Sequence, residues 1–422
     1  MYNDNKPLTA TKNIATLIVI TISLFSLGLF YPFIALSLVM LFSVFVKIES
    51  SIYIWVISSS MFFGILSSIL DLNFTYYADL ARYYALFENY SILQSVIDFK
   101  VFRGIIYEIL KFYGLKVEYY SLISVFLTFF LIQITSVYII YNLGYKVEST
   151  KEKLLYISTL FCLLPIVMFL GYETFLAIAF FFFGAYLFTS KNRMLGGMSF
   201  FLACLTHIFT IYFIIVFFAS ILFKRKGILF YIGSLCAFVI LLFATNHRLS
   251  IGVKFIDKPL VKLYNYFNGP WSEFSTIHDK ALIIYVLLKL IFIFIILMNV
   301  RKIEKLKQHY LIKMMIISLP LIIIFMLSRT LSLRLVEFGF IIYLPIVYIF
   351  YLHFITKKMR IFILVFLFIN ILSYHNMLYS RFVFNYMNIG NGYFMVMNFS
   401  DIKNFKSNMA SDKLIFDIKR NQ

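Results

Sequence analysis

The feature that most constrains this chain is a succession of long apolar blocks, residues 154–170, 282–300 and 361–371 among them, divided by short clusters of charge. Inside lipid a helix satisfies all of its own backbone hydrogen bonds, and about 20 mostly apolar residues let it cross. A membrane β-barrel would alternate polar and apolar residues in short segments, a pattern this sequence lacks. Of the 422 residues, 14% are charged and 62% hydrophobic. A water-soluble domain carries about 25% charge, so this chain has too little to cover a water-facing surface. The expected fold is an all-α integral membrane protein, one polytopic bundle over residues 1–422.

The net charge of +19 raises the question of nucleic acid, and its distribution answers it. Lys151 and Lys153, Lys191 and Arg193, Lys224 to Lys226, Arg301 to Lys307, and Lys357 to Arg360 form short clusters between apolar blocks. Cytoplasmic loops have this pattern under the positive-inside rule, with anionic lipid headgroups as the counter-charge. No nucleic-acid partner is expected. Cys162, Cys204 and Cys236 lie within apolar blocks without paired or metal-ligand spacing, and read as small core residues. The apolar stretch after Lys12 is long and lacks a small-residue cleavage site, so it is expected to anchor and not to be removed.

Dividing residues 14–46 at Tyr31-Pro32 gives about 13 spans: two there, then 52–70, 119–142, 154–170, 174–188, 194–206, 208–223, 228–244, 281–300, 311–327, 335–355 and 361–379. All the basic clusters then fall on one side, taken as cytoplasmic. Residues 71–118 and 245–280 fall on the other as amphipathic, periplasmic segments at the membrane interface. Residues 380–422 form a polar C-terminal tail. The sequence shows no internal repeat.

Four polar sets converge on the outer side, where ionisable groups at span ends are costly and tend to be functional. In Phe74-Thr-Tyr-Tyr-Ala-Asp-Leu-Ala-Arg-Tyr-Tyr84, Asp79 and Tyr83 are four apart and share a helical face with Arg82 beside them. With Tyr76 they form either a pocket for a hydroxylated substrate or an ion pair on an interfacial helix. Glu173 opens a span, as a general base or as a carboxylate favoured by the helix dipole. His207 joins two short spans, either as a structural hydrogen-bonding residue or as a phosphate ligand or proton shuttle. Arg329 and Arg334, followed by Glu337, stand where the positive-inside rule least expects them. Their planar forks suit phosphate oxygens, and interface snorkelling is the plainer account.

Three elements resemble the EpsG and Wzy-type polymerases of bacterial surface polysaccharides, O-antigen polymerases included. They are the Asp79-Leu-Ala-Arg-Tyr-Tyr84 stretch, the small-residue helix Leu176-Ala-Ile-Ala-Phe180 with the downstream Leu202-Ala-Cys-Leu-Thr-His207, and Arg329 and Arg334 ahead of Tyr343-Leu-Pro345. Relatives often carry Arg-Gln before the small-residue helix. Here the place reads Tyr172-Glu-Thr174, so another arginine, Arg82 or Arg103, must fill any such role.

The resemblance implies a glycosyltransferase of GT-C-like architecture in the bacterial inner membrane, its active site facing the periplasm or cell exterior. It would transfer a growing glycan from undecaprenyl diphosphate to a lipid-linked repeat unit, with a chain-length regulator as a possible partner. Arg329, Arg334 and Arg82 would bind the diphosphate and stabilise its developing charge. Asp79, Glu173 and His207 would be the catalytic candidates, and Tyr83 and Tyr76 would contact sugar. The sequence has no clustered acidic set to hold a divalent cation, so a metal- and cofactor-independent enzyme is expected. Three other readings compete. A membrane glycosyltransferase using a polyprenyl-phosphate sugar would also carry an Asp in the first outer loop. A flippase or transporter would show related halves and midplane charges, of which Lys289 is the main example. An O-acyltransferase can rest on one His near the membrane boundary but leaves the paired arginines unexplained.

Overall fold

A computed structural model describes residues 30–46, 50–69, 79–163, 172–190, 192–222, 279–300, 309–325, 339–354 and 393–397, with residues 261, 264, 303 and 306 between them. The described chain is predominantly α-helical and contains no strand. In chain order the helices are α1 (Pro32–Phe45), α2 (Ser51–Ser68), α3 (Asp79–Leu86), α4 (Ile92–Ile97), α5 (Val101–Phe112), α6 (Glu118–Asn142), α7 (Thr150–Leu163), α8 (Tyr172–Thr189), α9 (Arg193–Thr206), α10 (Thr210–Leu222), α11 (Asp279–Val300), α12 (Tyr310–Phe325) and α13 (Leu344–Phe354). Short 3-10 turns cover Phe340–Tyr343 and Tyr393–Val396. By length and composition α2 and α6 are apolar enough to cross a membrane. The first expected span lies outside the described residues except at its end, the second is described as α1, and those at 228–244 and 361–379 lie outside the described residues.

The helices pack in a continuous series, α1 on α2, α2 on α6, α6 on α8 and α8 on α9, while α13 lies against α6, α7 and α11. Small residues set the closest approach. A Cβ at Gly196 would stand 2.8 Å from the Phe188 nitrogen and 2.9 Å from the Gly184 oxygen, so α8 and α9 meet backbone to backbone, as small residues permit in membranes. Across the same seam Ser199 Oγ donates to the Phe180 carbonyl at 2.7 Å.

Apolar stripes face outward on several helices, while hydroxyls join the apolar interior. On α2 the buried residues include Ser51, Ser58, Ser59, Ser60 and Ser67, while Ile54, Ile57 and Met61 are exposed. On α9 the exposed stripe is Met194, Leu195, Met198, Phe201 and Leu202, and on α11 it is Leu287, Ile291, Phe294 and Met298. Midway along α6, the fully buried Gln133 accepts from Trp55 Nε1 at 3.1 Å and donates to Ser59 Oγ at 3.0 Å. Its carbonyl oxygen receives Tyr156 OH at 3.2 Å. Many of the bundle's hydroxyls return to the carbonyl three or four residues back, as Ser60 and Ser136 do; this satisfies them where water is absent.

The bundle has two chemically different ends. One gathers the C-terminus of α1, the N-termini of α2 and α7, and the C-terminus of α6. There the Lys153 ammonium donates to the Ser43 carbonyl at 3.1 Å, to the Val46 carbonyl and to Ser51 Oγ. A cation on the last carbonyls of a helix complements the helix dipole. The sequence pattern puts Lys151 and Lys153 together in a solvated loop. Lys151 is exposed as expected, but Lys153 is buried, because a helix end needs its charge. Beside it Ser149 and Glu152 form a reciprocal capping box: Glu152 Oε2 accepts from the backbone nitrogens of Ser149 and Glu148 at 2.9 and 3.0 Å, and Ser149 Oγ accepts from the Glu152 nitrogen at 3.2 Å.

The opposite end gathers the C-termini of α2 and α9 and the N-termini of α6 and α8, with α3, α4 and α5 packed there. The region expected as a polar tail contributes an apolar piece to it: Met397 is buried with Phe33, Ile65, Leu66 and Ile69. Apolar side chains spaced through a mostly polar stretch let this short turn fold back.

Candidate functional site

The site grows from the first turn of α8. Glu173 is 1% exposed, and both carboxylate oxygens are used. The Arg103 guanidinium grips it in two-pronged fashion, Nε on Oε1 and Nη2 on Oε2, the latter at 2.6 Å. Lys100 Nζ lies 2.9 Å from Oε2, and Tyr120 OH donates to Oε1 at 2.8 Å. Four donors occupy the four lone-pair directions that a carboxylate offers. A planar guanidinium is the cation suited to such a bidentate grip away from water.

Each partner arrives on a different element. Arg103 lies on α5, where Arg103, Tyr107 and Leu110 form the buried stripe at helical spacing. Its guanidinium carbon stands 4.1 Å from the Tyr83 ring centroid and 5.2 Å from that of Tyr90, so aromatic faces complete the cation's surroundings. Burial opposes the charge on Arg103, but the adjoining carboxylate outweighs it and holds the guanidinium's pKa well above its ordinary value. Tyr107 OH donates to the Tyr83 carbonyl at 2.6 Å, and the Tyr107 ring meets Tyr120 edge-on at 5.0 Å. Tyr84 OH and Ser121 Oγ share a 2.7 Å hydrogen bond that docks α3 on α6. Tyr90 OH donates to Asp98 Oδ2 at 3.1 Å.

Lys100 sits at a backbone irregularity. After α4 the Phe99 nitrogen bonds to the Val96 carbonyl, and the Lys100 nitrogen bonds to that of Ser95. Together they make a Schellman cap. Phe99 occupies its left-handed position with φ 54, where glycine is usual, as at Gly114 with φ 61 after α5. For an L-residue this conformation costs about 1–2 kcal/mol. From it Lys100 reaches both Glu173 and the Thr206 carbonyl, 3.4 Å away at the end of α9. The next residue, His207, is the C-cap of α9, and its Nδ1 accepts from the Phe209 nitrogen at 3.2 Å. That bond fixes the turn into α10.

Of the residues singled out in the sequence, the fold therefore brings Glu173, Tyr83 and, through Lys100 and Thr206, His207 into one neighbourhood. Asp79 and Arg82 lie on α3 with their side chains outside the described residues. Tyr76, Arg329, Arg334 and Glu337 lie wholly outside them. Lys100 and Tyr120 were missed by sequence reasoning, and Arg103 entered it only as a substitute. The inward stripe of α5 was the available signal, an arginine in register with Tyr107 and Leu110 on an amphipathic helix. Among the described residues, no group of three His, Cys, Asp or Glu side chains could hold a metal ion.

Comparison with protein-family models, with curated proteins and with solved structures finds no match to this chain.

Proposed function

We propose that this protein is a polytopic inner-membrane glycosyltransferase that polymerises surface polysaccharide, moving a growing glycan from undecaprenyl diphosphate onto a lipid-linked repeat unit. The membrane reading draws on the outward apolar stripes of α2, α9 and α11 and the inward hydroxyls of α2 and α9, unlike a water-facing surface. It also draws on the confinement of Lys146, Lys151 and Lys153 to one end of the bundle and of the Glu173 cluster to the other. The full reading has about 13 spans, with the Glu173 end facing the periplasm or cell exterior.

The observation that carries the enzymatic reading is the Arg103–Glu173–Lys100 cluster at the start of the small-residue helix α8. Where the resembling family carries an arginine before this helix, the present chain has Glu173, and Arg103 delivers a guanidinium to that point from α5. Arg103 and Lys100 bring two cations to Glu173, with the Asp98 carboxylate nearby on Tyr90. Arg329, Arg334 and Arg82 are assigned to the diphosphate leaving group. Asp79 and His207 are the candidates to orient or deprotonate the acceptor hydroxyl, with Tyr83 and Tyr76 against the sugar. Glu173 accepts four donors in this arrangement, so its part in the reaction is to hold Arg103 and Lys100.

The test is a polysaccharide gel from cells lacking the gene. The expected result is loss of the long ladder with retention of a core carrying one repeat unit, since export and ligation still work. Loss of that single unit as well would move the protein upstream, to a flippase or an assembly glycosyltransferase. Restoring the gene with Arg103→Ala, Arg329→Ala or Arg334→Ala is expected to leave the ladder absent while the protein still inserts. A wild-type ladder from both Arg329→Ala and Arg334→Ala would refute the diphosphate assignment, and one from Arg103→Ala would remove the Glu173 cluster from the reaction.

A further inference from the structure

Helix α5 has two faces, and only one belongs to the site. Arg103, Tyr107 and Leu110 turn inward, whereas Ile105, Ile109 and Phe112 are exposed at the same spacing, Phe112 to 83%. Beside it, α4 buries Ser95 alone and exposes Ile92, Leu93, Val96 and Ile97. Tyr113 and Leu115 continue the patch towards α6. An apolar surface of this extent requires a cover.

Depth identifies the cover. Phe102, at the start of α5, packs edge-on against Phe180 with centroids 5.7 Å apart. Phe180 lies seven residues into α8 from Glu173, roughly 10 Å along the helix axis. The first turn of α5 thus lies against the flank of α8 about two turns in from Glu173, so α5 is not confined to the end of the bundle. An amphipathic helix at a lipid surface buries its apolar face by about 5–10 Å, a similar depth. The charges beside the patch suit headgroups: Lys111 pairs with Glu108 at 3.5 Å, and Lys116 is exposed next to Tyr113 and Tyr119. Long cationic stems and tyrosines can keep polar tips at the headgroups while their bodies lie lower.

We propose that α4 and α5 are seated in the lipid surface at the Glu173 end of the bundle, and that this seating holds Lys100 and Arg103 against Glu173. The partner is a phospholipid leaflet with a share of anionic headgroups. The proposal rests on the membrane reading of the bundle but is independent of the polymerase reading. The two rigidly linked faces of α5 explain the coupling: a helix lifted from the lipid would carry Arg103 with it.

The test places a reporter on the outward face. Leu93→Trp and Phe112→Trp are made in the full-length protein and reconstituted in phosphatidylcholine–phosphatidylglycerol vesicles, with either plain acyl chains or chains brominated near the glycerol. Emission from Trp55 and Trp271 is subtracted using the parent protein. Loss of most of the added emission in brominated vesicles, at both positions, is the expected result. Added emission that stays bright and water-like would overturn the proposal. Bright but blue-shifted emission would overturn it as well, pointing to a second copy or a protein partner over the patch. Should either variant fail to fold, Ile109→Trp reports on the same face. Because quenching needs no catalytic turnover, a ladder unaffected by gene deletion would remove the polymerase reading and leave this result standing.

Discussion

Arg103 and Lys153 are both buried cations, at opposite ends of one bundle, and they are satisfied differently. Arg103 is held by a carboxylate, a phenol neighbour and aromatic faces drawn from three helices and the connection after α3. Lys153 is held by carbonyls and a hydroxyl at the joint of α1 and α2. The separation is about 30 Å, since Tyr120 and Asn142 mark the two ends of α6 and lie 22 helical steps apart at about 1.5 Å each. The lysine tidies a helix end, work that any well-placed donor can do. The arginine cluster ties α5, α6 and α8 together through one shared carboxylate. Buried ion pairs are poor stabilisers compared with apolar packing of the same volume, but removing one partner is costly because it strands the other charge.

The sharpest way to break this comparison is Glu173→Gln. It leaves Arg103 buried without its counter-charge, and the expected loss is about 3–5 kcal/mol, read as a fall in thermal unfolding temperature in detergent. Replacing both partners with Met should cost far less than the sum of the single changes. A double variant as unstable as the sum would show that the two side chains act independently. Lys153→Met is expected to cost less, about 1–3 kcal/mol, because it leaves carbonyls and a hydroxyl without a donor but strands no charge. Polymer length should be unchanged, and a change would remove the proposed division between the two ends.

Two smaller effects sharpen the contrast. Phe99→Gly removes the left-handed strain below Lys100 while adding backbone freedom to the unfolded chain, for a net gain of about 0.5 kcal/mol. If that strain fixes the aim of Lys100, polymerisation should fall even as stability rises. The smallest effect belongs to Glu152. Burial raises its pKa, but the backbone donors of Ser149 and Glu148 outweigh this and hold it below 4.5. A depressed carboxylate contributes stability above its ordinary value, and the contribution fades as pH falls through the folded one. The unfolding temperature of Glu152→Gln should therefore trail the parent near neutral pH and approach it in acid. A gap that stays constant with pH would rule out the capping carboxylate as its source.

Much of the helical order was legible from the chain. The apolar blocks expected at 52–70, 119–142, 174–188 and 194–206 return as α2, α6, α8 and α9 within a few residues, because an apolar run with no breaker leaves a helix little alternative. Glu173, Tyr83 and His207 stood out because polar groups beside apolar runs are few. Arg103 and Lys100 did not, since a cation in an amphipathic stretch looks the same whether it faces water or a carboxylate seventy residues away. Lys153 misled for the same reason: a basic residue between apolar blocks reads as a solvated loop.

Among the described residues the sequence by itself determined where helices form and in what order, because hydropathy and backbone hydrogen bonding act locally along the chain. Only the tertiary structure decided which charges meet. Pairing Glu173 with Arg103, Lys100 and Tyr120 depends on α5, α6 and α8 converging, and on a strained turn at Phe99 that aims one of them. Contacts between residues far apart in the chain are set by packing, and no local pattern records them.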